Sequence, residues 1–266
     1  EDDEQIEINH LKKYSRHMLI LKVVLVILVF IIITLPLFFV IRFNLNKNIT
    51  SKAINNVNEY KNVNNYLLQI TEHNIDFERN TESFHNSKYF YKDNQYKKEM
   101  HSETPGVNIQ NADSFEYGNI NSKEKVKIIE TQKICYNVKA NYILQKKDGF
   151  LDFMMIALQP FSEDYGTLPN IWVQSGYNLR TDKYNGRKCN VLRLGDKSSY
   201  REIWIDKEQN TLVRTVDEIY NRSYSEKVYS IKSDVVTDED VTLPDLTGYT
   251  IKDSEDNVPS EYIGIY

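Results

Sequence analysis

The side chains in this chain that could do chemistry are few. Cys135 and Cys189 are the only two cysteines, and no Cys-x-x-Cys pair occurs, so a thioredoxin-like activity has no support. An even number of cysteines in an extracytoplasmic domain permits a disulfide, and closing a loop of about fifty residues would contribute about 3–4 kcal/mol. Two separate buried thiols are the alternative, because free cysteine also behaves as a small apolar core residue. The sequence leaves both open.

Motifs for metal binding and nucleophilic catalysis are missing from the sequence. The five histidines fall at no spacing typical of metal ligands, and neither His-Glu-x-x-His nor Gly-x-Ser-x-Gly occurs. Asp206, Glu208 and Asn210 match the first ligand positions of a calcium loop, but Thr211 stands where that loop needs glycine. A turn between strands explains the same residues. We therefore expect no catalytic residue, no metal and no cofactor, and we predict that the chain is not an enzyme.

The amino-acid composition is typical of a globular domain that does not bind nucleic acid. The chain has 266 residues, of which 41% are hydrophobic and 27% charged, which is ordinary for a globular domain. Its formal net charge is −5, and this acidic balance argues against nucleic acid as a partner. The 19 tyrosines and 11 phenylalanines favour strands.

Residues 19–41 read LILKVVLVILVFIIITLPLFFVI, with Lys22 as the only charge. A bilayer core requires roughly 20 apolar residues in a helix, and this run is long enough. A buried core helix would show a polar face, and a cleavable signal peptide would show a shorter apolar run followed by a small-residue cleavage site. We predict a single-pass transmembrane helix at 19–41 in the cell membrane, with residues 1–18 as a cytoplasmic tail and the C-terminal domain extracytoplasmic.

Two different periodicities follow the apolar run. From Thr50 to Ile70, apolar residues recur in steps of three and four, which predicts an amphipathic helix within a juxtamembrane segment at 42–87. From Lys88 the period changes to two, and Asp93-Asn94 and Asn185-Gly186 are typical hairpin turns. The predicted fold class is α+β: a curved antiparallel meander at 88–249 wraps around the amphipathic helix as an unclosed β-barrel, and a C-terminal tail follows at 250–266.

One apolar segment, 149–161, interrupts the strand pattern and suits a short helix or lid. Its aromatic and methionine side chains could line an apolar cavity, because methionine adapts to irregular ligands, although ordinary core packing explains them equally. Both tryptophans alternate with polar residues and are predicted to face the interior. The candidate ligand-binding residues are Phe150, Phe153, Met154, Met155, Trp172 and Trp204.

Three successive strand segments carry a resemblance to a known family. They read YNGRKC at 184–189, EIWIDK at 202–207 and LVR at 212–214, and a proline-led ending follows at Pro244. This progression resembles the bacterial lipoprotein-carrier superfamily of the LolA, LppX and RseB type, in which an unclosed β-barrel encloses an apolar cavity. The resemblance covers roughly residues 51–249 and implies apolar-ligand binding. Because the LolA type is freely soluble and this chain is predicted to be tethered, we expect sensing or local binding.

Two functions follow as hypotheses. The first is a membrane-anchored extracytoplasmic domain that binds or senses a lipid, a lipoprotein or another apolar ligand. The alternative is an envelope assembly protein or a sigma-factor-regulator-type protein, which contacts an envelope or cytoplasmic protein partner and needs no small ligand. An apolar cavity inside the barrel favours the first hypothesis, and a filled core favours the second.

Overall fold

The structure of the protein is a computed structural model, and it describes residues 2–105, 112–122, 124–139, 151–162, 178–195 and 197–253. The chain divides into two units. The first contains the residues up to Leu45, and the second begins at Asn46.

Helix α1 extends over Asp2–Tyr60 and includes Pro36. The large apolar side chains between Leu19 and Ile41 are exposed almost throughout. By length and composition this helix could cross a membrane, and a signal sequence near an N-terminus meets the same criterion. The transmembrane span at 19–41 therefore stays a prediction.

The second unit is built on a large mixed sheet. Its described strands are β1 (Asn65–Asp76), β2 (Thr81–Lys92), β3 (Gln95–Glu103), β4 (Ala112–Asn119), β5 (Glu124–Ile129), β6 (Ile134–Lys139), β7 (Asn178–Tyr184), β8 (Arg187–Gly195), β9 (Ser199–Asp206), β10 (Leu212–Ile219), β11 (Ser223–Ser233) and β12 (Thr250–Lys252). The order across the sheet is β12-β6-β5-β4-β3-β2-β1-β11-β10-β9-β8-β7. The two ends of this order, β12 and β7, do not pair, which is consistent with the predicted unclosed barrel.

Two meanders form most of the sheet. Strands β1 to β6 are antiparallel neighbours in chain order, and so are β7 to β11; pairing of β1 with β11 joins them. Asp93 and Asn94 have φ of 48° and 71°, and Asn185 and Gly186 have 48° and 80°. Two successive residues at positive φ form the turns whose twist matches a two-residue hairpin. Both predicted hairpin turns are confirmed.

The start of the sheet differs from the sequence prediction. A helix was expected through Ile70, but α1 ends at Tyr60, and β1 and β2 occupy much of the segment 42–87. Tyr66, Leu68 and Ile70 are all buried, so the period in β1 is two. The helical prediction was wrong here. Leu67 and Leu68 are both apolar, so a helical pattern can be drawn through Leu67 and a strand pattern through Leu68.

The C-terminal part of the sheet also differs from an antiparallel meander. After β11 a one-turn helix, α3 (Asp238–Val241), begins at Thr237, whose side chain accepts a hydrogen bond from the Asp240 backbone. Strand β12 then pairs in parallel with β6. The sheet is therefore mixed, and the segment 250–266, predicted as a tail, contributes its first residues as a strand.

The main core of the second unit lies on one face of the sheet, called the inner face below. The part of α1 after Leu45 packs there through Ala53 and Val57, and a second helix, α2 (Asp152–Ser162), packs there as well. A sheet with a helix against its inner face is the predicted arrangement, and residues 46–60 supply that helix. The strand residues of this core are Tyr66, Leu68, Ile70, Tyr89, Tyr91, Tyr96, Leu192, Ile203, Ile205, Leu212 and Tyr229.

Candidate functional site

Helix α2 has apolar side chains on two sides. Met154 and Leu158, four residues apart, are 1% and 0% exposed and belong to the inner-face core. On another side, Phe153 is 37% exposed and Ile156 is 62% exposed. A surface helix ordinarily turns polar residues to solvent, and exposed apolar side chains rimmed by polar residues are typical of binding sites. Helix α2 is therefore the first candidate element for binding an apolar ligand.

The predicted ligand-binding residues in this segment have different surroundings. Met154 is buried in the core, which is the packing that the core interpretation predicts. Met155 is partly buried against the same core, and the ring of Phe153 lies 6.1 Å from that of Tyr89. Phe150 and Trp172 lie outside the described residues. The structure thus brings Phe153, Met154 and Met155 to one helix, on or near the inner face.

Tyrosines form much of the inner face near α2. Tyr66 and Tyr91 are paired across β1 and β2, and their rings stack with centroids 5.2 Å apart. Burial raises the pKa of Tyr89 to about 12. Burial, together with the nearby carboxylate of Glu116, raises the pKa of Tyr96 far above its ordinary value. The phenols of Tyr89 and Tyr96 therefore keep their protons near neutral pH, and this part of the surface is apolar with hydroxyl groups as hydrogen-bond donors.

Trp204 does not lie on the inner face, which corrects the sequence prediction. Its neighbours Ile203 and Ile205 are 0% and 1% exposed in the inner-face core, and alternation along β9 turns Trp204 to the opposite face. There it packs with Cys189 and Val191, and it is only 6% exposed. Its burial agrees with an interior position, but it cannot contact a ligand held on the inner face.

The two cysteines are not bonded to each other. Both thiols are free and buried. Cys135 lies on β6 and Cys189 on β8, with eight described strands between these two in the sheet order. Burial raises the pKa of both thiols. The disulfide alternative is therefore wrong in this structure, and the alternative of two separate buried thiols is found.

The inner face also carries a charged patch that the sequence did not predict. The register places Lys98 opposite Glu116, and Glu116 opposite Lys127. Lys125 Nζ lies 3.1 Å from a carboxylate oxygen of Glu116. Glu116 and Lys127 are only 9% and 7% exposed. Lys98, Lys125 and Lys127 are called the lysine cluster below.

Burial also changes the protonation of the lysine cluster. It lowers the pKa of Lys127 from 10.5 to about 8, although the carboxylate of Glu116 acts in the opposite direction. Burial likewise lowers the pKa of Lys98. In both cases removal of the ammonium from water has the largest effect. The charged form of these lysines is therefore destabilised in the fold.

Tyr96 connects the apolar core to the charged patch. Its hydroxyl donates a hydrogen bond to Glu116 at 3.0 Å. Gly118 is opposite Tyr96 in the register, and a Cβ at position 118 would come within 2.7 Å of the tyrosine oxygen. Glycine therefore allows the ring to lie across β4 and reach the carboxylate.

The two regions of the inner face are in contact. The ammonium of Lys98 lies 5.3 Å from the ring centroid of Tyr89. The ring of Tyr89 in turn faces Phe153 on α2 at 6.1 Å. An apolar surface and a positively charged surface are thus adjacent, as recognition of an amphiphilic molecule requires.

The candidate calcium ligands form a turn. Asp206 Oδ1 accepts hydrogen bonds from the backbone N–H groups of Glu208 and Gln209, at 2.8 and 3.0 Å. This is the side-chain-to-backbone turn that the strand-connection interpretation predicts. No group of three or more His, Cys, Asp or Glu side chains that could hold a metal is found in the described part of the chain.

Comparisons with known proteins give similarity in structure only. No family model matches the sequence, and no curated protein matches it. LprF from Mycobacterium bovis is 12% identical, with 76% of this chain and 96% of that chain covered and a TM-score of 0.42. Lipoprotein LppX from Mycobacterium tuberculosis is 10% identical, with 69% and 93% covered and a TM-score of 0.34.

A third similar structure is the MucA/MucB complex of Pseudomonas aeruginosa, at 9% identity, 74% coverage of this chain and a TM-score of 0.35. This chain spans 61% of the length of the protein it matches there. The matched structures also include a LolA superfamily protein from Nitrosomonas europaea, at 10% identity and a TM-score of 0.27. That is the type the sequence resembles.

Proposed function

We propose that the chain is a membrane-anchored extracytoplasmic domain that binds a lipid, or the acyl chain of a lipoprotein, between α2 and the inner face. The observation that carries the proposal is α2 itself. Met154 and Leu158 pack against the inner face, while Phe153 and Ile156 are exposed. Burial of an acyl chain contributes about 0.8 kcal/mol per CH₂, so a short contact supplies useful affinity.

The described packing suggests how an acyl chain is accommodated. Methionine is unbranched and fits irregular spaces, so the buried Met154 is the side chain of α2 that would move to admit an acyl chain. The rings of Tyr66, Tyr91 and Tyr89 are 0–3% exposed, so they form the apolar wall that the acyl chain contacts once Met154 moves aside. An acyl chain placed along this wall also covers Phe153, which is partly exposed without it. The proposed role is binding without catalysis.

Anchoring in the cell membrane is part of the proposal. It is supported by nineteen large apolar side chains of α1, from Leu19 to Ile41, that are exposed. Protease treatment of intact spheroplasts should remove the domain after residue 45 and leave residues 1–18 protected. Protection of the C-terminal domain, or release of a soluble domain without residues 19–41, would contradict this orientation and anchoring.

A protein partner, with no small ligand, is the second candidate function. The 62% exposure of Ile156 favours it, because an exposed apolar residue on a helix is also typical of a protein contact. The filled core under α2, where Met154 and Leu158 are 1% and 0% exposed, also favours it. The two functions differ in which surface is covered. A protein contacts only the exposed side of α2, whereas an acyl chain also contacts the inner face.

A photo-crosslinkable fatty acid distinguishes the two functions. The full chain, held in amphipol, is irradiated with a diazirine-bearing palmitic acid, and the crosslinked peptides are mapped by mass spectrometry. We expect crosslinks on α2 and on the inner-face residues of β1 to β3. Crosslinks confined to residues 19–41, or none at all, would contradict lipid binding.

Matched variants sharpen the crosslinking experiment. Ile156→Asp places a charge on the exposed side of α2 and should lower crosslinking to the inner face about tenfold, because the charge resists burial. Ile251→Asp is the control, since Ile251 is similarly exposed at 58% but lies on β12. Equal losses in both variants would show that α2 has no special role.

A further inference from the structure

We propose that the lysine cluster binds the anionic headgroup of the ligand, so that the ligand class is an amphiphile with a phosphate or carboxylate group. This inference rests on the proposed function, because the apolar part of the same molecule lies against α2. It also narrows that function, since neutral lipids of the same chain length would bind more weakly.

The register of the sheet places the relevant side chains in one continuous row. Each residue of this row is the direct cross-strand partner of the next, so all of them point to the inner face. The row begins with apolar residues, passes through charged residues and ends with tyrosine. It consists of Leu68, Tyr89, Lys98, Glu116, Lys127 and Tyr136.

Charge in this patch is not balanced. Three ammonium groups surround one carboxylate, that of Glu116. Its two oxygens contact Lys125 at 3.1 Å and the Tyr96 hydroxyl at 3.0 Å. Within the described part of the chain, no carboxylate oxygen forms an ion pair with Lys98 or Lys127. Lys98 and Lys127 therefore lie on the inner face without an ion pair of their own, and three positive charges share one negative charge.

Two other cations on the inner face each form an ion pair with a carboxylate. Lys227 Nζ pairs with Glu72 at 3.1 Å, and the two residues are direct partners across β1 and β11. Arg201 pairs with Asp217, its direct partner on β10. Each of these cations has a carboxylate of its own. In the lysine cluster a single carboxylate, that of Glu116, lies opposite both Lys98 and Lys127 and forms an ion pair only with Lys125.

An unpaired buried ammonium is costly, and a bound anion removes the cost. Lys127 is 7% exposed, so its ammonium has lost most of its water. A phosphate or carboxylate oxygen can accept charge-assisted hydrogen bonds from several lysines at once. Lys98 sets the position of the headgroup, because its ammonium also lies over the ring of Tyr89 beside α2. The headgroup and the apolar chain can therefore belong to one molecule.

The test compares two amphiphiles that share an acyl chain. Full-length protein in amphipol is titrated with 1-palmitoyl lysophosphatidic acid, with 1-monopalmitoylglycerol and with inorganic phosphate, and occupancy is measured by native mass spectrometry. We expect the anionic amphiphile to bind about tenfold more tightly than the neutral one, an effect within the range of charge-assisted hydrogen bonds. We expect the double variant Lys98→Met/Lys127→Met to abolish this difference and to retain binding of monopalmitoylglycerol.

Controls separate the possible failures. Lys232→Met, an exposed lysine on the outer side of β11, should keep the tenfold preference. Retained binding of monopalmitoylglycerol shows that the double variant is folded, and the single variant Lys127→Met repeats the test with one charge removed. Equal affinity of the wild type for both amphiphiles would overturn this inference and leave the proposed function standing.

The remaining outcomes are also decisive. If neither amphiphile binds, the proposed function fails and this inference fails with it. If inorganic phosphate alone binds, and does so only with the lysines present, the patch is a site for a free anion and the amphiphile proposal is wrong. Loss of the preference in Lys232→Met as well as in the double variant would show a general charge effect and would overturn the assigned site.

Discussion

The inner face of the sheet contains two regions that are buried to a similar extent but consist of opposite chemistry. In the apolar core, Leu192, Ile203 and Ile205 are 0–1% exposed. In the charged patch, Glu116 and Lys127 are 9% and 7% exposed. Burial stabilises the first region, because apolar surface leaves water. Burial destabilises the second, because an ammonium loses its hydration.

This difference in the effect of burial indicates a different role for each region. The apolar core is explained by folding alone. The lysine cluster is not, since an apolar residue at position 127 would be buried at no electrostatic cost. A costly arrangement at the surface of a sheet is typical of a binding site. The comparison therefore assigns stability to one region and recognition to the other.

The largest expected effect is on the apolar core. Ile203→Ala should lower the free energy of unfolding by about 2–5 kcal/mol, because Ile203 is fully buried and its loss leaves a cavity. Ile251→Ala is the control at a 58% exposed position, and it should change stability by less than about 0.5 kcal/mol. Urea unfolding of the full chain in amphipol, followed by tyrosine fluorescence, measures both. Similar losses in the free energy of unfolding of the two variants would show that burial of Ile203 does not stabilise the fold.

The next prediction is an increase in the free energy of unfolding. Lys127→Met should raise the free energy of unfolding at pH 7 by about 1–3 kcal/mol, because it removes a buried charge and keeps the side-chain volume. The pKa of Lys127 is about 8 in the folded protein against an ordinary 10.5, so the unfolded chain binds more protons between these values. Wild-type stability should therefore rise with pH across this window, and the variant should lack that part of the rise.

The pH series supplies its own control. Lys232→Met, at an exposed position, should follow the wild-type curve. Parallel curves for Lys127→Met and the wild type between pH 8 and 10.5 would show that Lys127 is not destabilised by burial.

A smaller effect is expected where the two regions meet. Tyr96→Phe removes the hydroxyl that donates to Glu116 at 3.0 Å, and it should lower the free energy of unfolding by about 1–2 kcal/mol. Tyr136→Phe is the matched change, since the hydroxyl of Tyr136 forms no hydrogen bond within the described residues. Thermal unfolding of both variants at pH 7 measures the difference. Equal losses would mean that the contact between Tyr96 and Glu116 contributes nothing.

The smallest effect concerns the cysteines, which lie outside the comparison of the two regions. Burial raises the pKa of both Cys135 and Cys189, and thiol reagents attack the thiolate. We expect both to react slowly with iodoacetamide in the folded protein and rapidly in urea, with no reductant added. A requirement for reductant in urea would show a disulfide and contradict the structure.

The sequence predicted the elements whose signals are local. Asp93-Asn94 and Asn185-Gly186 specify hairpins because these residues tolerate positive φ. The apolar segment at 149–161 predicts a short helix or lid, and the structure forms helix α2 there, with Met154 and Leu158 in the core. Such signals depend only on residues near in sequence, so these turns and this helix can be predicted without knowing which strands pair.

The charged patch could not be predicted for a physical reason. Alternation around Glu116 suggests that Phe115 and Tyr117 face the core and that Glu116 faces water. In the structure the faces are the other way round, and Glu116 is buried on the inner face. The rings of Phe115 and Tyr117 lie on the outer face, with Lys97 Nζ 5.4 and 5.6 Å from their centroids. Alternation identifies two faces of a strand, but only the pairing with β3 and β5 determines which face is inward.

The central claim is that an apolar ligand binds between α2 and the inner face. Native mass spectrometry of the full chain, purified from cell membranes and released from detergent, tests it most directly. The account predicts a co-purified acyl-chain amphiphile with an anionic headgroup, present on the wild type and on Ile251→Asp and depleted on Ile156→Asp. Folded wild-type protein that carries no such adduct in repeated preparations, and takes up none when palmitoyl amphiphiles are added, would contradict it.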